Sequence, residues 1–237
     1  MKKIVALAIL IFAIACTKEN TKKGNLHLVG NIDGLKQGKI YIQQLKETSL
    51  INLDTIQFEG KSTFDTYLQL EEPQMLYIFL DRGQTKSIDN TLQFFAEPGE
   101  MKFETTLKEF YASAKFTGSK NQKVYEEYQK IKNNIANDKI ELVAKELKNL
   151  KTNNASVSAK IKADKDKLTI RKYLYTANFA VVNGKSEVAP YLALSEIPDA
   201  NLKLLDTIQK SMSPQVAKSL YGKRLTQWIK ERKEIEK

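Results

Sequence analysis

The sequence predicts an α+β protein: an N-terminal antiparallel β-sandwich or barrel-like domain followed by a C-terminal helical region. Eight of the ten glycines lie between Gly24 and Gly118, whereas neither glycine nor proline occurs from Ser119 to Asn183. Glycine supplies the positive φ of tight turns, and a long stretch free of both residues permits continuous helix. The apolar period changes at the same place, from two residues to three and four.

In the first half, Leu26, Leu28 and Ile32 alternate with His27 and Asn31, and Ile40 and Ile42 repeat the pattern. Thr63–Leu70, Met75–Leu80, Leu92–Ala96 and Met101–Thr105 read as further strands. Asp33-Gly34, Gln37-Gly38, Glu59-Gly60, Arg82-Gly83 and Pro98-Gly99 punctuate them as turns. The run from Met75 to Leu80 is apolar on both faces, as a central strand requires.

In the second half, Ile140, Val143, Ala144, Leu147 and Leu150 form one apolar stripe, and Ile161, Leu168, Tyr175 and Val182 follow at seven-residue intervals. Asn153-Asn154 is the expected corner between two long helices. Asp199 is placed to cap a helix over Leu202–Met212, and Ser213-Pro214 to start a last helix reaching Ile235. Two or three shorter helices are expected beside the long pair.

The N-terminus reads as an export signal. Lys2 and Lys3 precede an apolar run from Ile4 to Ala15, which at twelve residues is too short to span a bilayer. Cys16, the sole cysteine, follows Ala15 where a bacterial lipoprotein signal places its lipid-bearing residue. The expected organisation is a signal peptide over 1–15, a lipidated tether over 16–25, a β-rich domain over 26–118 and an α-helical region over 119–237. Lipidation of Cys16 would leave no thiol for a disulfide or a Cys-x-x-Cys pair.

Several short motifs occur in order. Gly30-Asn31-Ile32-Asp33-Gly34-Leu35 is followed by the strand Gly38–Ile42, then by Asp54-Thr55-Ile56 and Glu59-Gly60-Lys61. Pro73 precedes the apolar strand, and Glu97-Pro98-Gly99 closes the next one. Gly118-Ser119 with Asn121 leads into helix, and Asn183-Gly184-Lys185-Ser186-Glu187-Val188-Ala189 starts a later one. Together they resemble the domain of unknown function numbered 4369, found in lipoproteins of some Gram-negative bacteria. In many relatives a thioredoxin-like domain follows. Here the chain stops at Lys237 without a Cys-x-x-Cys, so the resemblance implies the non-catalytic module.

Other chemistries lack their residues. His27 is the sole histidine, which excludes Ser-His-Asp, Cys-His and multi-histidine metal arrangements, and it reads as structural within its strand. There is no phosphate-binding glycine loop. Glu71-Glu72 and Glu126-Glu127 read as solvated charges. No catalytic, cofactor or metal site is expected. Residues 17–119 carry 12 basic and 14 acidic side chains, against 24 and 14 over 120–237, so the helical half is basic. Interspersed acids favour a solvated helix surface over contact with anionic lipid head groups, lipopolysaccharide or an acidic partner, and no motif supports nucleic-acid binding. The expected function is a non-enzymatic, lipid-anchored envelope module that binds or positions a protein partner, on the periplasmic side of the outer membrane. An accessory role beside a separate thioredoxin-like protein is the alternative. The sequence leaves any small-molecule ligand open.

Overall fold

The computed structural model describes residues 24–83 and 88–236. The export signal and Cys16 lie outside them.

Eight strands form two four-stranded sheets. The first has the order β4 (Thr63–Leu68), β1 (Leu26–Asp33), β7 (Gly99–Thr106) and β8 (Lys115–Thr117). The second has the order β3 (Ser49–Glu59), β2 (Gln37–Lys46), β5 (Gln74–Asp81) and β6 (Thr91–Ala96). Alternation sends Leu26, Leu28 and Ile32 of β1, and Ile40 and Ile42 of β2, into one core between the sheets. Phe94 stacks on Phe116 at 4.8 Å and Phe116 on Phe103 at 4.7 Å, so aromatic rings join the two layers. Burial of each such side chain contributes about 1.5–3 kcal/mol.

The antiparallel-rich sandwich is as expected, and three details of it differ. The sheets are not wholly antiparallel, because β1 and β7 run parallel from Leu26 opposite Gly99 to Asp33 opposite Thr106. The two-residue period is common to both ladders and does not distinguish them. The longest strand, β3, was not among those expected. It is a largely exposed edge strand and carries polar residues on both faces, so it shows little apolar period. Gln37-Gly38, expected as a turn, opens β2.

The helices form a third layer on the outer face of the second sheet. Its centre is β5, which sends Leu76, Ile78 and Leu80 into the sandwich and Met75 outward. Met75 and Phe95 pack there against Tyr125, Tyr128, Val188, Leu192 and Tyr221. The first helix, α1 (Lys120–Thr152), spans about 50 Å at 1.5 Å per residue. Gly118 precedes it with φ +98°, and a Cβ there would lie 2.1 Å from the Glu100 carbonyl oxygen. Ser119 caps α1 by accepting the Gln122 N–H at 2.8 Å. Asn153, left-handed at φ 45°, ends it. Asn154 then caps α2 (Ala155–Val182) by accepting the N–H groups of Ser156 and Val157. The Asn153-Asn154 corner is therefore as expected.

Four shorter helices follow instead of two or three: α3 (Val188–Glu196), α4 (Leu202–Ser211), α5 (Pro214–Ala217) and α6 (Leu220–Ile235). Asn201, not Asp199, caps α4, accepting the Leu204 N–H at 2.9 Å. Asp199 instead accepts the Tyr173 hydroxyl at 2.6 Å. The expected single last helix is broken, since Ser213 caps α5 and Ser219 starts α6 as a second N-cap. The apolar stripe of α1 lies on helix as expected, but Ile140, Leu147 and Leu150 are exposed there rather than packed. No helix among the described residues is long and apolar enough to cross a membrane.

Candidate functional site

Two clefts lie along the seam between sandwich and helices. The larger, about 840 Å³, is bounded by the β6–β7 turn, the start of α1 and the α2–α3 connection. The late motif segments meet here. Glu97 accepts the Lys120 N–H at 2.6 Å and the Asn121 side-chain amide at 2.7 Å. The same Asn121 Nδ2 donates to Glu187 Oε2 at 2.9 Å, while its Oδ1 accepts the Ser186 hydroxyl at 2.6 Å. A carboxylate at the start of α1 also meets the positive end of the helix dipole. At Gly184 a Cβ would lie 2.2 Å from the Ser211 carbonyl oxygen, so only glycine fits the connection. These polar groups bond one another, and the cleft reads as a joint.

The second cleft, about 650 Å³, opens between the β6 edge, the start of β8 and one face of α1. Gln122 Oε1 accepts the Phe95 N–H at 2.7 Å, occupying an outward-pointing donor of the β6 edge. Its Nε2 donates to Glu126 at 2.8 Å. Tyr125 donates its hydroxyl to Gln93 Oε1 at 2.9 Å, and burial raises its pKa well above the usual tyrosine value, with the Glu196 charge adding to the effect. One turn further along α1, Gln129 also lines the cleft. Its Nε2 is buried without a hydrogen-bond partner, alone in this among the buried side-chain polar atoms of the described residues. Tyr111 stands at the rim, 60% exposed. An orphaned buried amide costs about 1–3 kcal/mol unless something brings it an acceptor.

The walls of this second cleft are polar and aromatic. Amides and phenols dominate its polar wall, and its one lysine, Lys132, is engaged by Glu196 at 2.7 Å. His27 lies elsewhere, on the first sheet, where its ring stacks on Tyr67 at 4.2 Å and its Nε2 sits 3.1 Å from Asp65 Oδ1. Among the described residues, no group of three or more histidine, cysteine or acidic side chains is arranged to hold a metal ion. Sequence reading missed this cleft. Its signal was present as Gln122, Glu126, Gln129 and Asn133, spaced four, three and four apart on one helix face.

Residues 26–125 match a family described as a Domain of unknown function (DUF4369). The match runs from β1 into the second turn of α1, so it includes Glu97, Asn121 and Gln122 and stops short of Gln129. No curated protein and no solved structure matches the chain.

Proposed function

Taking residues 26–125 as a DUF4369 domain, we propose that the chain is a non-enzymatic, lipid-anchored module of the cell envelope that binds a partner in the cleft between β6, β8 and α1. The observation that carries this reading is Gln129, which lines an open cleft and whose Nε2 is a buried donor without a partner. Folded proteins rarely leave such a group unsatisfied, and binding sites are where the cost is recovered. The exposed Tyr111 ring supplies an apolar surface beside it. The cleft offers no activated nucleophile, since the Tyr125 hydroxyl is committed to Gln93 and held protonated by burial.

The anchor rests on the basic start, the short apolar run and the single Cys16 after Ala15. It places the cleft at a membrane surface, within reach of envelope partners. A photo-crosslinking amino acid at Tyr111, introduced into the full chain in cells, is expected to give one dominant adduct that Gln129→Leu abolishes. An adduct unchanged by Gln129→Leu, or no adduct, overturns the assignment of the cleft. The anchor is tested separately. Labelled fatty acid should enter the wild type and not Cys16→Ala, and equal labelling of both refutes it.

A further inference from the structure

β6 and β8 are each the last strand of their sheet, and the cleft opens beside both. β6 pairs with β5 without a register break, from Gln74 opposite Ala96 to Phe79 opposite Thr91. In an antiparallel ladder the backbone groups of alternate residues face the neighbouring strand, and those between them face away. The Phe95 N–H faces away from β5, because Gln122 Oε1 accepts it at 2.7 Å. Gln93 and Thr91, two and four residues back, share its orientation. The Gln93 N–H and C=O and the Thr91 C=O therefore point outward along the edge that lines the cleft. Nothing among the described residues bonds these three groups. Gln93 is an exposed residue, so this part of the edge is open.

We infer that an extended segment of a partner protein enters the cleft and adds to β6 as a fifth strand of the second sheet. The inference rests on the reading that the cleft binds a partner, and it states what that partner presents. Donors and acceptors at a two-residue repeat of about 6.5–7 Å match the backbone of another strand. Gln122 limits the added strand at one end, since its amide already holds the Phe95 donor. Gln129, on the α1 wall of the cleft, has an amide donor that lacks an acceptor, and peptide carbonyls are acceptors. The walls favour a single segment. α1 stands on one side of the edge and residues 111–116 on the other, so a second copy would have to bring its own α1 into the same space. Charge narrows the occupant further. Lys132 is held by Glu196, whereas the Glu126 carboxylate at the rim meets only the neutral Gln122 amide. A basic side chain on the segment complements it.

The test uses the full chain in cells with the photo-crosslinking amino acid at Tyr111. Gln93→Pro removes an outward N–H that the ladder with β5 does not use, a position where a strand tolerates proline. Gln93→Ala removes the same side chain, with its bond to Tyr125, and keeps the N–H. Gln93→Pro should give at least about fivefold less adduct than Gln93→Ala, the effect of one lost backbone hydrogen bond. Equal yields from the two, with the adduct still lost in Gln129→Leu, overturn the added strand and leave the cleft reading standing. No adduct from the parent chain removes both. An adduct of twice the chain's own mass makes the occupant a second copy and also overturns the inference. Amide exchange gives a measure that does not depend on how proline is tolerated. In the purified Tyr111 adduct the Gln93 amide should exchange at least about tenfold more slowly than in the free chain. Equal rates refute the backbone pairing. Glu126→Lys, at an exposed position, should lower the adduct yield, and an unchanged yield refutes the basic side chain.

Discussion

The backbone N–H of Met75 on β5 donates to the hydroxyl of Tyr221 on α6 at 3.0 Å, a buried bond across 146 residues of sequence. It ties the central strand of the second sheet to the last helix, so sandwich and helical layer share a core at this point. Tyr191 packs edge-on against the Tyr221 ring at 5.0 Å, and Phe95 lies 5.9 Å away.

Tyr221→Phe should keep those ring contacts and leave the Met75 N–H without its acceptor. The expected cost is about 1–3 kcal/mol, the penalty for orphaning a buried donor. Urea denaturation should show a lower midpoint with an unchanged slope. An unchanged midpoint would mean that water reaches Met75.

The same aromatic joint makes the protein sensitive to alkali. Burial raises the pKa of Tyr221 and Tyr128 to about 12 and holds Tyr125 and Tyr191 higher still. A phenol whose folded pKa lies above its unfolded value of about 10 favours the folded state below pH 10. That contribution is lost as pH rises from 10 through 12, each tyrosine steepening the decline by up to about 1.4 kcal/mol per pH unit. Absorbance at phenolate wavelengths should therefore show these tyrosines ionising together with unfolding. Ionisation near pH 10 while the fold persists would contradict the burial.

How much of this was legible in sequence depended on whether a side chain's environment is local. The Asn153-Asn154 corner was legible, because a left-handed residue followed by an N-cap is a property of adjacent residues. So was β5, whose uninterrupted apolar run demands cover on both faces. β3 was not, since an exposed edge needs no apolar period. The parallel pairing of β1 with β7 was hidden for another reason, because partner choice across seventy residues leaves no trace in alternation. The cap of α4 was misassigned to Asp199 when Asn201 and Asp199 are both good caps; Asn201 adjoins the helix start at Leu202, while Asp199 accepts from Tyr173. Gln129 carried the least signal. A glutamine on a helix face is ordinary until the fold is seen to bury its amide.

Asn121 is the hub of the joint at the start of α1, donating to both Glu97 and Glu187 and accepting from Ser186. Asn121→Ala removes all three bonds and leaves Glu187, which is buried, without the amide that solvates it. The expected loss is about 2–4 kcal/mol, the range for stranding a buried polar or charged group. Asn121→Asp should be worse at neutral pH, because it places three carboxylates together, and should recover as acid protonates them. A denaturation midpoint for Asn121→Asp that does not rise on acidification would rule out charge as the cause.

Gln129 sets stability against binding, and the two effects should separate. In the free protein its Nε2 is buried without an acceptor, so Gln129→Leu deletes an unsatisfied donor while keeping a side chain of similar length. The melting temperature should rise, by an amount corresponding to about 1 kcal/mol. If the cleft holds a partner through that donor, the same substitution should abolish the crosslinked adduct from Tyr111. Gln129→Glu provides the opposite control, since it replaces the donor with a charged acceptor. It should lower stability and also lose the adduct. A core glutamine with no binding role predicts a different pair of results: a stability change in Gln129→Leu and an adduct that persists. Only gain of stability together with loss of binding marks Gln129 as a donor held unsatisfied for a ligand.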